Sequence, residues 1–257
     1  GALFLSTPRG KNWFWHLFNL GQDPQETEWQ SFRFESSVNP LVAYEELQAI
    51  QRTTSEQTFR EEYLAEFLDD SGAVFRGVRQ VATAPTHAVF NSEHRYIMGV
   101  DWGKDHDYTV LVVVDSTTRQ MVAIDRFNKI DYSFQRERLK SLSKKWRPSV
   151  IWAEANSIGT PIIENLRRDG LPMRPFMTTA KSKAPLIEAL SLAIERAELE
   201  LLPDETLLAE LTSYQLERLP SGNYRYNAPA GLHDDMVIAT ALAWHGCRHG
   251  GLRIDFA

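Results

Sequence analysis

At 257 residues the chain has room for one large domain, or for a domain with a smaller companion. Its 43% hydrophobic content excludes global disorder, and no apolar stretch approaches the roughly 18 residues that cross a bilayer, so no membrane partner is expected. A single cysteine, Cys247, excludes an internal disulfide and any multi-cysteine zinc site and fits a reducing, cytoplasmic setting, while the net charge of −6 gives no overall attraction to nucleic acid. Bound cations reverse the local sign wherever acids serve as ligands, so an acidic chain still admits a polyanionic partner.

The apolar opening Gly1–Leu5 lacks a basic leader and a cleavage site. Ala2–Leu5 reads as a buried strand, as if cut from the middle of a longer domain, with Ser6–Asn12 as the loop after it and a short helix over Trp13–Leu20. Gly10 and Lys11 do not make a phosphate-binding loop: Leu5 stands where that motif needs glycine, and Asn12 where it needs Ser or Thr. Residues 29–34 alternate as a strand should, with Phe32 and Phe34 on one side. Asn39 and Pro40 open a helical stretch marked by Leu41, Tyr44, Leu47 and Ile50, and a second helix is expected over Phe59–Leu68. Asp69–Gly72 is the clearest boundary, and Ala73–His94 reads as a connector with short strands.

From Tyr96 the order becomes regular. Strands are expected over Tyr96–Val100, Tyr108–Asp115 and Gln120–Phe127, then a helix over Ser133–Lys145 ended by Pro148. A strand to Glu154, a helix from Thr160 to Arg168, a short strand at Met173–Met177 and a helix from Ser182 to Glu198 follow. Glu205–Leu216 reads as helical or irregular, Asn223–Asn227 as a β piece, and Met236–Trp244 as a buried helix. Three meandering strands followed by alternating helices and strands describe a mixed α/β sheet.

Three acids punctuate this pattern. Asp101 ends the first strand within RYIMGVDWGKDHDYTVL, just before a charged turn through Asp105; Glu154 ends VIWAE; and Asp234 and Asp235 open the last apolar helix. Each alone has an ordinary explanation: Asp101 as a turn former, Asp234 as a helix cap. Carboxylates brought together repel and raise one another's pKa unless a cation is present. Oxygen-only ligands suit Mg²⁺ or Mn²⁺, and such a cluster holds metal against a phosphate ester. Since successive helical residues differ by about 100° in direction, Asp235 is expected to face the metals and Asp234 to cap or assist. Arg136, Arg138, Lys140, Lys144, Lys145 and Arg147 form one basic cluster and Lys181 and Lys183 another, either a solvated face or a phosphate contact. His245 and His249 have metal-pair spacing, but Gly246 and Gly250 read as the end of their helix.

With these residues identified, the sequence resembles the large terminase subunit of tailed bacteriophages. Tyr96–Asp107, Trp152–Gly159 (WAEANSIG) and Leu232–Ala243 (LHDDMVIATALA) are similar to the family's three nuclease motifs, and Leu3–Asn12 (LFLSTPRGKN) to a segment of its packaging ATPase. The resemblance implies a ribonuclease H-like nuclease domain at 95–257, a mixed five-stranded sheet flanked by helices. A connector at 71–94 and a remnant of the ATPase domain at 1–70 would precede it. It implies two-metal cutting of concatemeric double-stranded DNA in a viral packaging motor, with Asp101, Glu154 and Asp235 as catalytic metal ligands and Asp234 assisting. ATP is implied only for a longer parent protein. The implied partners are the portal protein and the small terminase subunit, and the implied setting is the host bacterial cytoplasm, on the procapsid. Two alternatives stand beside it: another ribonuclease H-like enzyme, such as a junction resolvase or transposase, and a non-catalytic DNA-docking module of the motor.

Overall fold

The first 71 residues and the remainder form separate units, Gly1–Ser71 and Gly72–Ala257, in a computed structural model that describes residues 1–8, 13–68, 73–103, 107–156, 159–218, 224–229 and 231–249. Most of the loop expected at Ser6–Asn12, the boundary at Asp69–Gly72, the turn through Asp105 and the first residue of the expected β piece, Asn223, lie outside the described residues.

In the first unit α1 (Trp13–Leu20), a 3₁₀ turn (Ser36–Val38), α2 (Tyr44–Thr53) and α3 (Glu56–Glu62) are joined by extended chain. Neither expected strand forms: residues 1–8 and 29–34 have no ladder partner among the described residues, and Leu5 and Phe34 stand 84% and 73% exposed. Alternation proposes a strand, but only a neighbouring strand supplies its hydrogen bonds. The helix expected from Asn39 begins five residues later. The Leu41 N–H donates to Asn39 Oδ1 (3.0 Å), and this local turn competes with helix. In α3 the Ser55 hydroxyl accepts the Thr58 N–H at 3.2 Å, an N-cap that fixes the start, and the helix stops at Glu62 instead of running to Leu68.

The second unit is built on β1 (Tyr96–Asp101), β2 (Thr109–Asp115), β3 (Gln120–Phe127), α4 (Tyr132–Trp146), β4 (Val150–Glu154), α5 (Gly159–Arg168) and β5 (Met173–Phe176). It continues through α6 (Ala180–Glu195), α7 (Glu205–Ser213), the two-stranded β6 (Gln215–Arg218) and β7 (Tyr224–Asn227), and α8 (Asp235–His249). The main sheet runs β3-β2-β1-β4-β5, antiparallel among the first three strands and parallel from β1 to β4 to β5. This is the mixed α/β sheet that the pattern predicts, with the five strands and flanking helices that the resemblance implies. Every residue of β1 and β2 is buried, because both faces are covered. Val110, Val112 and Val114 join the core beneath α6, α7 and α8; Leu111 and Val113 join the one beneath α4 and α5.

The segment 73–94 is not a free connector. Phe75, Val78 and Val81 sink into the core beside α6 and α7. The Leu201 N–H donates to the Val81 carbonyl (2.7 Å) and the Ala84 N–H to that of Leu201 (3.0 Å). Instead of short strands it makes one isolated bridge, Ala73 to Gln215.

Helix α8 approaches β1 closely. A Cβ at Gly99 would overlap the Ala239 carbonyl oxygen and the Ala243 nitrogen, and one at Gly246 would overlap Ile97 and the Trp152 ring. At Gly99 helix backbone therefore lies directly on strand backbone, and at Gly246 the helix backbone lies on the Ile97 and Trp152 side chains. Gly246 does not end the helix as its type implies; it lets the helix stay down as far as His249. Because the atoms that a Gly99→Ala methyl would meet are backbone and cannot rotate aside, that variant should lose about 2 kcal/mol or more. A chemical-denaturation midpoint equal to the parent's would show that the helix can lift off without penalty.

Candidate metal centre

The parallel register pairs Val100 with Ala153, so the next residues, Asp101 and Glu154, emerge side by side at neighbouring strand ends. Asp101 is 7% exposed. Burial first, then the charge of Glu154 and a hydrogen bond shared with it, then Asp235 and Asp234, push the Asp101 carboxyl well above the ordinary carboxylate range. Gly159, at the head of α5, makes this arrangement possible: a Cβ there would overlap the Glu154 carbonyl oxygen and press on Trp102.

Asp235 is the first residue of α8 and is 9% exposed. Burial is the main cause that raises its carboxyl to about 6, helped by Asp234 and opposed by the Tyr108 N–H and His233. That N–H donates to Asp235 Oδ2 at 3.3 Å, and His233 Nδ1 lies 3.5 Å from the same oxygen. Asp234 does not cap the helix with its side chain. Its carboxylate takes Lys183 Nζ at 3.1 Å, while the acceptor at the helix start is Glu210, whose Oε2 receives the Met236 N–H at 2.9 Å. Asp101 and Glu154 are thus in contact, whereas Asp235 and Asp234 act on Asp101 through space and are held by partners of their own. Among the described residues no three acidic, imidazole or thiol side chains come together tightly enough to enclose an ion.

Several residues that hold this arrangement escaped the sequence reading. Glu210 is buried, and its other oxygen meets Arg126 Nη2 at 3.4 Å. The Arg126 guanidinium lies 3.3 Å over the centre of the Tyr108 ring, which also receives the edge of His233. Glu210, Arg126, Tyr108 and Asp235 therefore form a chain of contacts that returns to the helix Glu210 caps. The signal was present: Glu210 falls among Leu207, Leu208 and Leu211 on the buried face of α7, where an acid needs a partner. Asn156, two residues past Glu154, donates to the Thr178 carbonyl (2.7 Å) and accepts the Thr178 N–H (3.0 Å), tying the end of β4 to the start of α6. Thr109 closes the other side, its hydroxyl accepting the Gly103 N–H at 2.9 Å and donating to Gln135 at 2.8 Å.

The basic cluster on α4 is largely committed. Arg136 and Lys140 both hold Asp169 at 2.9 Å, and Arg138 pairs with Asp125. Lys145 and Arg147 lie over the rings of Trp146 and Phe90. His245 and His249 stack with ring centres 4.2 Å apart, and His245 packs edge-on against Trp152; burial, then the neighbouring His249 and Arg248, lower it to about 4. At pH 7 His245 is therefore a neutral packing residue.

The donor set at the strand ends is carboxylate oxygen alone, and one member is buried against another. Such a pair needs a shared proton or a cation, and its chemistry fits a hard divalent ion.

Residues 98–245 match the family model described as the terminase RNaseH-like domain. The large terminase subunit of Thermus virus P23-45 is 31% identical over 265 residues, which cover 95% of this chain and 55% of that protein. The chain thus spans about half the length of the curated relatives it matches. The crystal structure of the large terminase nuclease from thermophilic phage G20c has a TM-score of 0.63 and 30% identity to it, over 67% of this chain and 97% of that one; that nuclease is also known with bound magnesium and with bound cobalt. The large terminase nuclease domain of Thermus phage P74-26 is likewise 30% identical, with a TM-score of 0.62 over 68% of this chain and 95% of that one. The chain belongs to the terminase ribonuclease H-like domain family.

Proposed function

We propose that the second unit is a divalent-metal-dependent DNA endonuclease of a viral genome-packaging motor, which cuts concatemeric double-stranded DNA. The observation that carries this reading is the buried Asp101 beside the half-buried Glu154 at adjacent strand ends, with Asp235 delivered toward them by α8. Asp101, the acid on which the others converge, would be the shared ligand of the ions, with Glu154 and Asp235 as further ligands and Asp234 assisting. Two Mg²⁺ or Mn²⁺ ions held there would supply activation of water and stabilisation of the leaving oxygen. The chain's own contribution is orientation. The Tyr108 N–H fixes one Asp235 oxygen, Glu210 fixes the helix start, and the Asn156 clasp holds the segment beyond Glu154. Support also comes from the magnesium-bound G20c nuclease, which is similar over two thirds of this chain. ATP hydrolysis, the portal protein and the small terminase subunit belong to the same proposal for the longer protein, acting in the host cytoplasm.

One observation favours the alternative of a non-catalytic DNA-docking module: no three described carboxylates enclose an ion. Plasmid nicking by the purified protein with Mn²⁺ and with EDTA separates the two, and loss of nicking in EDTA alone is the expected result. Asp101→Asn, Glu154→Gln and Asp235→Asn should each lower nicking by more than about 100-fold, since even outer partners of metal sites are worth 10–100-fold. Their melting temperatures should stay near or above the parent's, because removing one crowded carboxylate relieves repulsion. Asp234→Asn should retain more activity than Asp235→Asn; the reverse ranking would mean the helix presents its other acid.

The raised Asp235 pKa fixes the sign of a pH effect. Between the ordinary 3.8 and about 6 the folded chain holds a proton that the unfolded chain releases, so this acid's contribution to stability falls as pH rises through that window. In EDTA, Asp235→Asn should therefore gain on the parent from pH 4 to pH 7 by on the order of 2 kcal/mol. Mn²⁺ at pH 7 should restore the parent and leave the variant behind. Thermal unfolding across that range, with and without Mn²⁺, reads both; a gap that does not change with pH would refute the electrostatic origin.

A further inference from the structure

Lys183 stands where helix physics disfavours it. It lies in the first turns of α6, whose first turn contains no acid, and a helix N-terminus repels a cation. The start of α6 is nevertheless firmly placed. The Thr179 hydroxyl accepts the Ser182 N–H (3.2 Å) and the Ser182 hydroxyl accepts the Thr179 N–H (2.9 Å), while Asn156 clasps Thr178 from the strand that carries Glu154. These contacts set Lys183 Nζ against Asp234 Oδ2 at 3.1 Å and over the face of Tyr214. The Tyr214 hydroxyl is buried beside Asp234 without a well-formed hydrogen bond, and burial followed by the Asp234 charge raises its pKa. The Lys183 and Asp234 side chains are 22% and 28% exposed, so both remain within reach of solvent and ligand.

An ion pair this open is weak and exchanges readily. A divalent cation that engages Asp234 takes the carboxylate from Lys183, whose ammonium then faces the acid centre without its counter-ion. We infer that Lys183 is a substrate-binding residue of this site: counter-ion to Asp234 in the metal-free protein, and contact for a DNA phosphate once metal holds Asp234. The inference rests on the reading that the site cuts DNA. It explains why a lysine is stationed at a helix start, and why Asp234 is the acid held by a side-chain cation while Asp235 is held by a backbone N–H.

The two roles move two measurements in opposite directions. Calorimetric titration of Mn²⁺ without DNA should show Lys183→Gln binding about 3–10-fold more tightly than the parent, since a competing cation is gone. Fluorescence anisotropy of a short duplex with Ca²⁺ in place of Mn²⁺ should show the same variant binding DNA several-fold more weakly. The slope of log K against log salt should be shallower by about one. Lys183→Arg, which keeps the charge, should hold the parent's value in both assays. A Lys183→Gln variant with the parent's DNA affinity and salt slope overturns the inference, even if its Mn²⁺ binding tightens. Weaker Mn²⁺ binding overturns it as well, by making the lysine a support for Asp234 and not its competitor. Plasmid nicking by the parent with Mn²⁺ is run alongside: nicking sustains the nuclease reading whatever the variant does, and its absence removes both.

Discussion

The backbone contact of α8 on β1 is the constraint from which the rest of the second unit follows. Gly99 on the strand meets the α8 backbone at Ala239 and Ala243, and Gly246 on the helix receives the Ile97 and Trp152 side chains. Burying Met236, Val237, Ile238, Leu242 and Trp244 in the same helix is worth on the order of 10 kcal/mol. Two unit charges 4 Å apart repel by about 4 kcal/mol at an effective dielectric near 20. Packing therefore prevails over electrostatics, and α8 brings Asp235 toward Asp101 although neither acid gains by it. The site is loaded by the core behind it.

An acid pushed into such a place will turn away unless something holds it. The Tyr108 N–H on Asp235 is a backbone donor fixed by β2, and the Arg126 guanidinium stacked on the same tyrosine is itself tied to Glu210. Glu210 in turn accepts from the first turn of α8. Helix start, strand start and acid are thus linked through one set of contacts, which fixes the backbone positions from which Asp235 and its Tyr108 donor face each other. Asp234, one residue earlier, is outside this set. Its partner is a lysine with access to solvent, and it is the adjustable member of the group.

The sheet and its acids are legible in the sequence because the pattern repeats: β1 and β4 are short apolar runs that end in a carboxylate and α8 is an apolar run that opens on two, so acids that are ordinary one by one are not ordinary together. The sequence is less informative wherever the outcome depends on a partner far along the chain. Residues 29–34 alternate properly and still form no strand, because no neighbour among the described residues pairs with them. Ala73–His94 looked like a linker, yet Phe75, Val78 and Val81 complete a core whose other wall lies more than a hundred residues away. Glu210 and Asn156 carry no sign of their partners in the sequence, because each has only a local neighbourhood there, whereas those partners are Met236, Arg126 and Thr178. The basic run on α4 was legible as charge but not as commitment: Asp169 and Asp125, which engage it, give no sign of doing so in the text of the sequence.

That commitment bears on how an acidic chain would take up DNA under the proposed function. Arg136, Arg138 and Lys140 are each engaged by an acid, so recruiting them to phosphate would break an existing pair for each contact made. The acid centre offers the opposite balance. Among the described residues the four carboxylates there are met by one lysine ion pair, and every cation bound would lower the repulsion among them while raising the local potential toward a phosphate. Attraction for the polyanion then grows at the place where it is to be cut, and only after the cations have arrived. Metal before DNA is thus the order that the charges themselves favour, and in that order an empty site repels the strand that a loaded site would cleave.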